Sequence, residues 1–296
     1  MTILKTALAQ LSPEKDNVEK NIATAASYIK SAAESNADLI IFPEQYFNCW
    51  DPLCTRYSRE EQDGIIAALK EEASANGIAV LGSYYKAHNA AETVGDNAES
   101  NTDDNAAKDG KAKYNTPKEN TSVFIDDCGK ILAEYSKIHL FSPAGEDINF
   151  VAGDRPAVCT YGGFKFGLTI CYDLRFPELF NYYAAVGCNC VINQSAWAKA
   201  RMEQRRILSK ARAVENQYYI IGVNIAGKNP QDEYFGESNV IDPAGSAVLE
   251  AGGTEGLFFA EIDSECVNAV RQNLPILSDR RESLYMEWRR KFIRKE

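Results

Sequence analysis

Histidine is scarce in this chain, long apolar runs are absent, and basic residues are outnumbered by acidic ones. No stretch approaches the roughly 20 apolar residues that a membrane-spanning helix needs, and the N-terminal apolar run is too short for a signal peptide. The net charge of -10 argues against nucleic acid or an anionic membrane as a partner, because phosphate binding needs a clustered cationic face. We therefore expect a cytoplasmic protein that binds neither nucleic acid nor a membrane.

The shortage of histidine also limits the catalytic chemistry. A thiol protease needs a histidine beside its cysteine, and the chain has only His88 and His139. His88 adjoins a very polar segment, so a Cys-His pair would depend on His139 in "YSKIHLF", which can equally be a packing residue beside a strand end. The sequence therefore disfavours a thiol protease.

Cysteine, by contrast, is plentiful, with eight in the chain. In the cytoplasm these are expected to be reduced thiols rather than a disulfide framework. The closest pair, Cys188 and Cys190 in "GCNCVIN", has no second pair at the spacing of a zinc site. We expect no metal and no other cofactor, and we interpret this pair as small residues entering a buried strand.

The composition is that of a soluble globular protein, with 296 residues, of which 45% are hydrophobic and 25% charged. No linker divides it, so residues 1–296 are predicted to form a single domain. Residues 89–113 contain no aromatic residue and only one β-branched aliphatic, Val94. Because such a segment buries too little apolar surface to offset its ordering entropy, we predict a mobile surface insertion there, in preference to a functional lid.

Strand and helix patterns alternate along the chain and predict an α/β fold. Residues 2–10 and 37–44 resemble buried strands, and apolar residues at helical spacing lie between them, with Ser12 and Pro13 as the expected helix start. A second helix is expected from Ser58, with Glu61 completing its cap. Hairpins interrupt this alternation, so we predict mixed sheets covered by helices. Further helices are expected near 176–186 and 200–216, and hairpin turns at 127–129, 162–163 and 242–245.

Charged and nucleophilic residues stand where predicted strands end. Cys171 ends the apolar run in "FKFGLTICYDLRFPELF", where a strand-to-helix turn can expose a nucleophile beside backbone N–H groups. Glu44 follows "ADLIIFP", Lys137 follows "ILAEYS", and Glu146 lies a short loop further on. A thiol nucleophile needs a base and a positive field, and together these four residues form a candidate constellation.

Three of these segments resemble a known family. "IFPEQYF", "YSKIHLF" and "LTICYDLRFPELF" are similar, in the same order, to the signature segments of the carbon-nitrogen hydrolases of the nitrilase superfamily. The resemblance extends over nearly the whole chain and includes "KARAVENQYYIIGVN" and "GESNVIDPAGSAVLEA". It implies a four-layer αββα sandwich, two mixed sheets flanked by helices, and assembly into a homodimer or a larger homo-oligomer.

The resemblance also implies roles for the constellation. Cys171 is expected to be the nucleophile, Glu44 the general base, and Lys137 the cation beside the thiolate and the oxyanion. Glu146 matches a second glutamate found in many members, and the backbone N–H of Tyr172 is expected to help hold the oxyanion. The reaction is then hydrolysis of a carbon–nitrogen bond in a small molecule through a cysteine thioester.

Within the superfamily, "CYDLRFPELF" and "IHLF" resemble the branch of ω-amidases and deaminated-glutathione amidases. The expected substrate is a small molecule with a terminal primary amide and a carboxylate. Tyr46, Phe47 and Trp197 are candidate pocket residues, although Trp197 can equally be a core aromatic. Arg175 can meet a carboxylate or lock its turn through a salt bridge. Alternatives are an N-carbamoyl amino acid amidohydrolase or a nitrilase with the same residues, and a non-catalytic binding protein on this fold.

Overall fold

A computed structural model describes residues 2–56, 58–88, 117–228 and 232–292. Residues 89–113, predicted to be a mobile insertion, lie outside the described residues, and the single domain over residues 1–296 stays a prediction. The strands are β1 (Ile3–Gln10), β2 (Leu39–Ile41), β3 (Ala79–Ala87), β4 (Lys118–Ile125), β5 (Ile131–Ser136), β6 (Val158–Tyr161), β7 (Phe164–Ile170), β8 (Cys190–Ser195), β9 (Tyr219–Asn224), β10 (Ala226–Lys228), β11 (Glu233–Phe235), β12 (Asn239–Ile241), β13 (Ala247–Glu250) and β14 (Gly256–Asp263).

The helices flank these strands in the sequence. They are α1 (Val18–Glu34), α2 (Arg59–Asn76), α3 (Glu146–Asn149), α4 (Pro177–Ala185), α5 (Met202–Asn216), α6 (Ser264–Asn273), α7 (Ile276–Asp279) and α8 (Glu282–Phe292). None of the helices in the described ranges combines the length and the apolar composition needed to cross a membrane.

Twelve of the described strands form two mixed sheets of six strands each, and β10 and β11 pair in a separate two-stranded sheet. The first has the order β14-β1-β2-β3-β4-β5 and the second β13-β12-β9-β8-β7-β6. In the first, β1, β2 and β3 are parallel and β14, β4 and β5 pair antiparallel. In the second, β7, β8 and β9 are parallel and the others antiparallel. The predicted mixture of parallel winding and hairpins is confirmed.

The two sheets pack face to face, and alternation along each strand explains the layers. Leu39 and Ile41 of β2 point into a core shared with Phe166 of the second sheet, whereas Ile40 belongs to a separate core with Ile29 of α1. The helices α4 and α5 cover the other face of the second sheet through buried residues such as Leu179, Tyr183 and Ala213. The predicted αββα sandwich is therefore confirmed.

A buried glutamine fastens the two sheets together beside their strand ends. Gln194 at the end of β8 donates from Nε2 to the carbonyl oxygen of Phe42, 2.7 Å away. Its Oε1 accepts a hydrogen bond from the hydroxyl of Ser122 on β4. Gln194 is 1% exposed, so both ends of its amide are satisfied inside the protein. This bridge fixes the end of β8 against the end of β2.

The structure shifts the start of the first predicted helix and confirms the start of the second, although not its complete cap. The first helix begins at Val18 rather than after Ser12 and Pro13, because Asn17 caps it by accepting a hydrogen bond from the N–H of Lys20 at 3.1 Å. Ser58 caps α2 as predicted. However, Glu61 does not close the box, because its carboxylate pairs with Arg56.

All eight cysteines are free thiols. Cys188 and Cys190 are buried where the chain enters β8, which agrees with their interpretation as small residues entering a buried strand. One cluster among the described residues could share a metal ion: Asp126, Asp127 and Cys128 in the β4–β5 turn. There Asp126 already accepts the N–H groups of Cys128 and Lys130, so the cluster is explained by the turn itself.

Gly167 controls how closely α4 approaches the strand that carries Cys171. A Cβ at Gly167 would lie 2.6 Å from the ring of Tyr183, whose hydroxyl donates to the carbonyl of Leu168 at 2.6 Å. We predict that Gly167→Ala lowers the free energy of unfolding by about 1–3 kcal/mol through overpacking, measured by chemical denaturation. Gly64→Ala on α2, where nothing lies within 4 Å, is the matched control and should stabilise by about 0.5–1 kcal/mol. Equal behaviour of the two variants would contradict this account.

Candidate active site

The four candidate residues come together at the carboxyl ends of core strands. Glu44 follows β2, Lys137 follows β5 and Cys171 follows β7, the edge where ligands bind in many α/β sheets. Glu146 opens α3 in the loop after Lys137. Glu44 and Glu146 are 0% exposed and Lys137 is 1% exposed, so the predicted strand-end charges are buried in the protein.

Lys137 lies between the two carboxylates. Its ammonium nitrogen Nζ donates to Oε1 of Glu44 at 2.8 Å and to Oε2 of Glu146 at 2.8 Å. An ammonium has three N–H donors, so these contacts leave one donor free for a further acceptor. Buried charges of this kind are tolerated only when paired and hydrogen-bonded, and the geometry meets that condition.

An asparagine that the sequence reasoning missed also joins the two carboxylates. Asn120 on β4 donates from Nδ2 to Oε1 of Glu44 at 2.8 Å and to Oε1 of Glu146 at 2.9 Å. Its own carbonyl oxygen is buried without a partner in the described chain. The opposite amide orientation would place that oxygen against two carboxylates. The available signal was a polar side chain inside an otherwise apolar strand.

A backbone N–H group adds a third donor to each carboxylate. Oε2 of Glu44 accepts from the N–H of Ala196, directly after β8, at 2.8 Å. Oε2 of Glu146 accepts from the N–H of Phe141 at 2.7 Å. Each glutamate is thus held by three donors, counting Lys137 and Asn120, and neither side chain can rotate without losing several hydrogen bonds.

Burial and charge shift the protonation equilibria of this cluster. Burial, with a smaller effect from Glu146, raises the pKa of the Glu44 carboxyl, and Lys137 opposes that shift. Burial alone would lower the pKa of the Lys137 ammonium, but the charges of Glu146 and Glu44 outweigh it and raise that pKa. Burial and the charge of Glu44 raise the pKa of the Cys171 thiol well above its ordinary value, against the opposing effect of Lys137. Lys137 thus favours the thiolate, as the sequence led us to expect, but burial and Glu44 outweigh it, so the balance of these effects favours the protonated thiol in the free protein.

The backbone around Cys171 is a tight, strained turn. Cys171 has φ of 44°, a left-handed conformation that is uncommon for a residue other than glycine. The buried carboxylate of Asp173 ties this turn to the lysine segment, because it accepts from the N–H of Ile170 at 2.8 Å and from the hydroxyl of Tyr135 at 2.7 Å. The nucleophile candidate and Lys137 are thus fixed in relation to each other.

His139 does not serve as a base for Cys171. Its Nδ1 is 2.8 Å from Oδ1 of Asp173, and its ring stacks on Phe176 with centroids 3.7 Å apart. It is also absent from the residues that line the cleft at Cys171. This placement agrees with the packing interpretation of His139.

A cleft of ≈ 370 Å³, its open mouth included, leads to Cys171. Of the predicted binding residues, Tyr172, Arg175 and Trp197 line it. The guanidinium of Arg175 lies 4.7 Å from the ring centre of Trp197 and donates to Oε1 of Gln204 at 2.6 Å. The predicted residues Lys137 and Cys171 also line the cleft. The remaining lining residues were not anticipated: Trp50, Phe141, Ala196, Ala198, Arg201, Asp232 and Tyr234.

Tyr46 and Phe47, which were predicted to shape the pocket, lie elsewhere. Both are 1% exposed and pack with Phe42 in the core between the first sheet and its helices. The cause is the backbone after Glu44, because Gln45 has φ of 48° and the chain turns back toward that core. The pocket assignment of Tyr46 and Phe47 is therefore corrected.

Comparisons with known proteins agree with this arrangement. Residues 5–272 match the model of the family described as carbon-nitrogen hydrolase. The chain is 31% identical over 268 residues to a 2-oxoglutaramate amidase of Bacillus subtilis, covering 90% of this chain and 93% of that protein. It is 30% identical to the omega-amidase NIT3 of Saccharomyces cerevisiae, covering 96% and 95% of the two chains. Both are relatives of the kind that the sequence motifs predicted.

A solved structure extends the comparison to the fold. The amidase from Nesterenkonia sp. AN1 superposes with a TM-score of 0.80 at 26% identity, covering 97% of each chain. In that structure, a glutamate-to-glutamine mutant carries the acetamide moiety of fluoroacetamide on its active-site cysteine. Family and fold, as predicted from the motifs, are confirmed. The chain belongs to the carbon-nitrogen hydrolase family, as an amidase of the nitrilase superfamily.

Proposed function

We propose that the protein hydrolyses the terminal primary amide of a small carboxylic acid, giving the free acid and ammonia, with Cys171 as nucleophile and Glu44 as general base. The observation that carries this proposal is the buried Lys137 ammonium, held at 2.8 Å by both Glu44 and Glu146 in the wall of the cleft that contains Cys171. Such a cluster supplies a base, a cation and a nucleophile at one point.

The first step forms the thioester. The Cys171 sulfur attacks the amide carbon while Glu44, whose raised pKa suits it to accept a proton, takes the thiol proton. The carbonyl oxygen becomes an oxyanion, which accepts from the third N–H of Lys137 and from the backbone N–H of Tyr172. Protonated Glu44 then gives its proton to the amide nitrogen, the carbon–nitrogen bond breaks, and ammonia leaves.

The second step releases the acid. A water molecule attacks the thioester carbon as Glu44 takes one of its protons. The carbon–sulfur bond breaks, the sulfur recovers the proton from Glu44, and the carboxylic acid departs. Glu146 and Asn120 touch no reacting atom in this scheme. They are positioning residues that hold Lys137 and Glu44 through the hydrogen bonds given above.

The cleft favours a substrate that carries a carboxylate. Arg175 and Arg201 both line it, and an arginine guanidinium binds a carboxylate through paired N–H donors. Arg175 is preorganised by stacking on Trp197. The names of the relatives, 2-oxoglutaramate amidase and omega-amidase, support a 2-oxo acid with a terminal amide as the substrate class. An N-carbamoyl amino acid would use the same cysteine and differ only in these contacts.

We also propose that the protein is a cytoplasmic homodimer or larger homo-oligomer. Eight free thiols are typical of a reducing compartment. Large apolar side chains are exposed on the outer layer formed by α4 and α5, with Tyr182 at 44%, Ile207 at 59% and Val214 at 44%. Exposed apolar side chains grouped on one face of a protein are typical of a protein–protein interface.

Removal of the nucleophile should abolish turnover. We predict that Cys171→Ala lowers ammonia release by several orders of magnitude, on the order of 10⁶-fold where loss of a hydrolase nucleophile has been measured, without loss of the fold. The assay uses a panel of ω-amides, N-carbamoyl amino acids and nitriles. Cys128→Ala, at an exposed thiol, is the control and should retain full activity. Release from nitriles alone, or full activity of Cys171→Ala, would overturn the proposal.

The pH dependence of kcat/KM should reveal the titration of the buried Glu44 carboxyl. Since Glu44 must be ionised to accept the thiol proton, and since its pKa is raised, kcat/KM should fall on the acid side at a higher pH than an ordinary glutamate titrates. Asn120→Leu removes an N–H donor that favours the ionised form, so the acid limb should move to still higher pH. If Asn120→Leu lowers kcat/KM by the same factor at every pH, and the acidic side of the pH profile does not shift, Asn120 has only a structural role.

The oligomer proposal is tested at the exposed apolar layer. We predict that Tyr182→Asp or Ile207→Asp lowers the molecular mass observed by sedimentation velocity, because a buried unpaired carboxylate destabilises an interface. Ala67→Asp, at an exposed position of α2 on the opposite outer layer, is the matched control and should leave the mass unchanged. A wild-type protein that sediments as a monomer would contradict the proposal.

A further inference from the structure

A tryptophan in the cleft wall has an indole N–H with no hydrogen-bond partner among the described residues. Trp50 is 7% exposed and lines the cleft, and its indole nitrogen Nε1 is buried without an acceptor in the described chain. An indole N–H is donor only, and a buried donor left unsatisfied is destabilising. The protein therefore retains an unfavourable group in its cleft that a suitable acceptor would relieve.

A second tryptophan in the same cleft provides the contrast. The indole N–H of Trp197 donates to the carbonyl oxygen of Arg201 at 2.9 Å. Both rings line the cleft, but of the two indole N–H groups the one of Trp50 has no acceptor in the described chain.

Trp50 also lies close to the reacting groups. It packs against Ala196, Ile225 and Tyr234 in one small apolar cluster. The N–H of Ala196 is hydrogen-bonded to Oε2 of Glu44 at 2.8 Å. A single residue, Ala196, thus lies between the indole of Trp50 and the carboxylate of Glu44. The indole lines the same cleft as Cys171.

The segment that carries Trp50 is rigidly held. Cys49 has φ of 63°, and its carbonyl oxygen accepts from the hydroxyl of Tyr85 at 2.8 Å. The backbone N–H of Tyr85 donates to Oδ1 of Asn48 at 2.9 Å. Because these contacts fix the backbone on the N-terminal side of Trp50, the ring is preorganised in the free protein, and preorganised donors give the most specificity.

The charges around the cleft indicate what the acceptor is. Arg175 and Arg201 line the cleft, with Asp232 as the acidic residue among its lining side chains. Nη2 of Arg201 forms an ion pair with Oδ2 of Asp232 at 3.9 Å, which balances one of the two arginine charges. The cleft therefore carries an excess of donors, and its ligand should bring oxygen acceptors.

We propose that Trp50 is a specificity-determining residue whose indole N–H donates to an oxygen at the acid end of the substrate, so that the enzyme selects amides with an oxygen acceptor distal to the scissile bond. The inference rests on the proposed amidase function. A site built to hydrogen-bond a substrate rejects an analogue that lacks the acceptor, because its own buried donor is then left unpaired.

The test compares Trp50→Phe with Trp288→Phe on three amides: a 2-oxo acid ω-amide, the plain dicarboxylic half-amide glutaramate, and butyramide, which has no distal oxygen. For Trp50→Phe we expect kcat/KM to fall about tenfold to a hundredfold on the two acids, mainly through KM, and at most about twofold on butyramide. For Trp288→Phe, at an exposed tryptophan of α8 that does not line the cleft, we expect no such difference between substrates.

A second variant keeps the shape of the ring. Replacement of Trp50 by β-(3-benzothienyl)alanine removes the N–H but retains the bicyclic outline, so it decides the question where Trp50→Phe is poorly folded. An equal loss on all three amides, or an unchanged preference for the acids, would overturn the inference. A wild-type enzyme that shows no preference for the acids would instead contradict the proposed substrate class, so the two failures are distinguishable.

Discussion

The structure of the site depends on the buried ammonium of Lys137. It is held at 2.8 Å by Glu44 and at 2.8 Å by Glu146, and removal of one partner from such a cluster leaves an uncompensated charge in the protein interior. The donors from Asn120 and Ala196 then become necessary, because they satisfy the two carboxylate oxygens that Lys137 does not contact. The positions of the backbone at Ala196 and Phe141 are thus constrained by the buried charges of Glu44, Lys137 and Glu146.

That constraint explains why the two sheets must align closely at one edge. Glu44 follows a strand of the first sheet, yet its carboxylate is hydrogen-bonded by Ala196, which follows β8 of the second. A small slide of one sheet would break this bond and the bridge from Gln194 to Phe42. The apolar core between the sheets stabilises their packing but is non-directional. The polar bridges define the relative position of the sheets, and the site depends on that position.

The sequence predicted the strand-end residues well and the cross-sheet partners poorly. Glu44, Lys137 and Cys171 each follow an apolar strand in a recognisable motif, so local pattern and family resemblance both located them. Asn120 and Trp50 contribute through contacts with distant segments, and no local periodicity encodes such contacts. Other features depend on single backbone dihedral angles: the left-handed conformation of Gln45 directs Tyr46 and Phe47 into the core, which the residue types alone do not reveal.

The cluster of Glu44, Lys137 and Glu146 accounts for a Cys171 thiol that is unreactive in the free protein and, in the proposed reaction, nucleophilic when substrate is bound. Burial and Glu44 raise the pKa of Cys171, which disfavours the thiolate, the form that is oxidised or alkylated. In the proposed reaction, negative charge develops on the substrate carbonyl oxygen near Lys137 while Glu44 becomes neutral on taking the thiol proton. In that step the Glu44 charge that disfavoured the thiolate is removed, and the Lys137 ammonium gains a third acceptor. The electrostatic field is thus matched to the transition state rather than to the free thiolate.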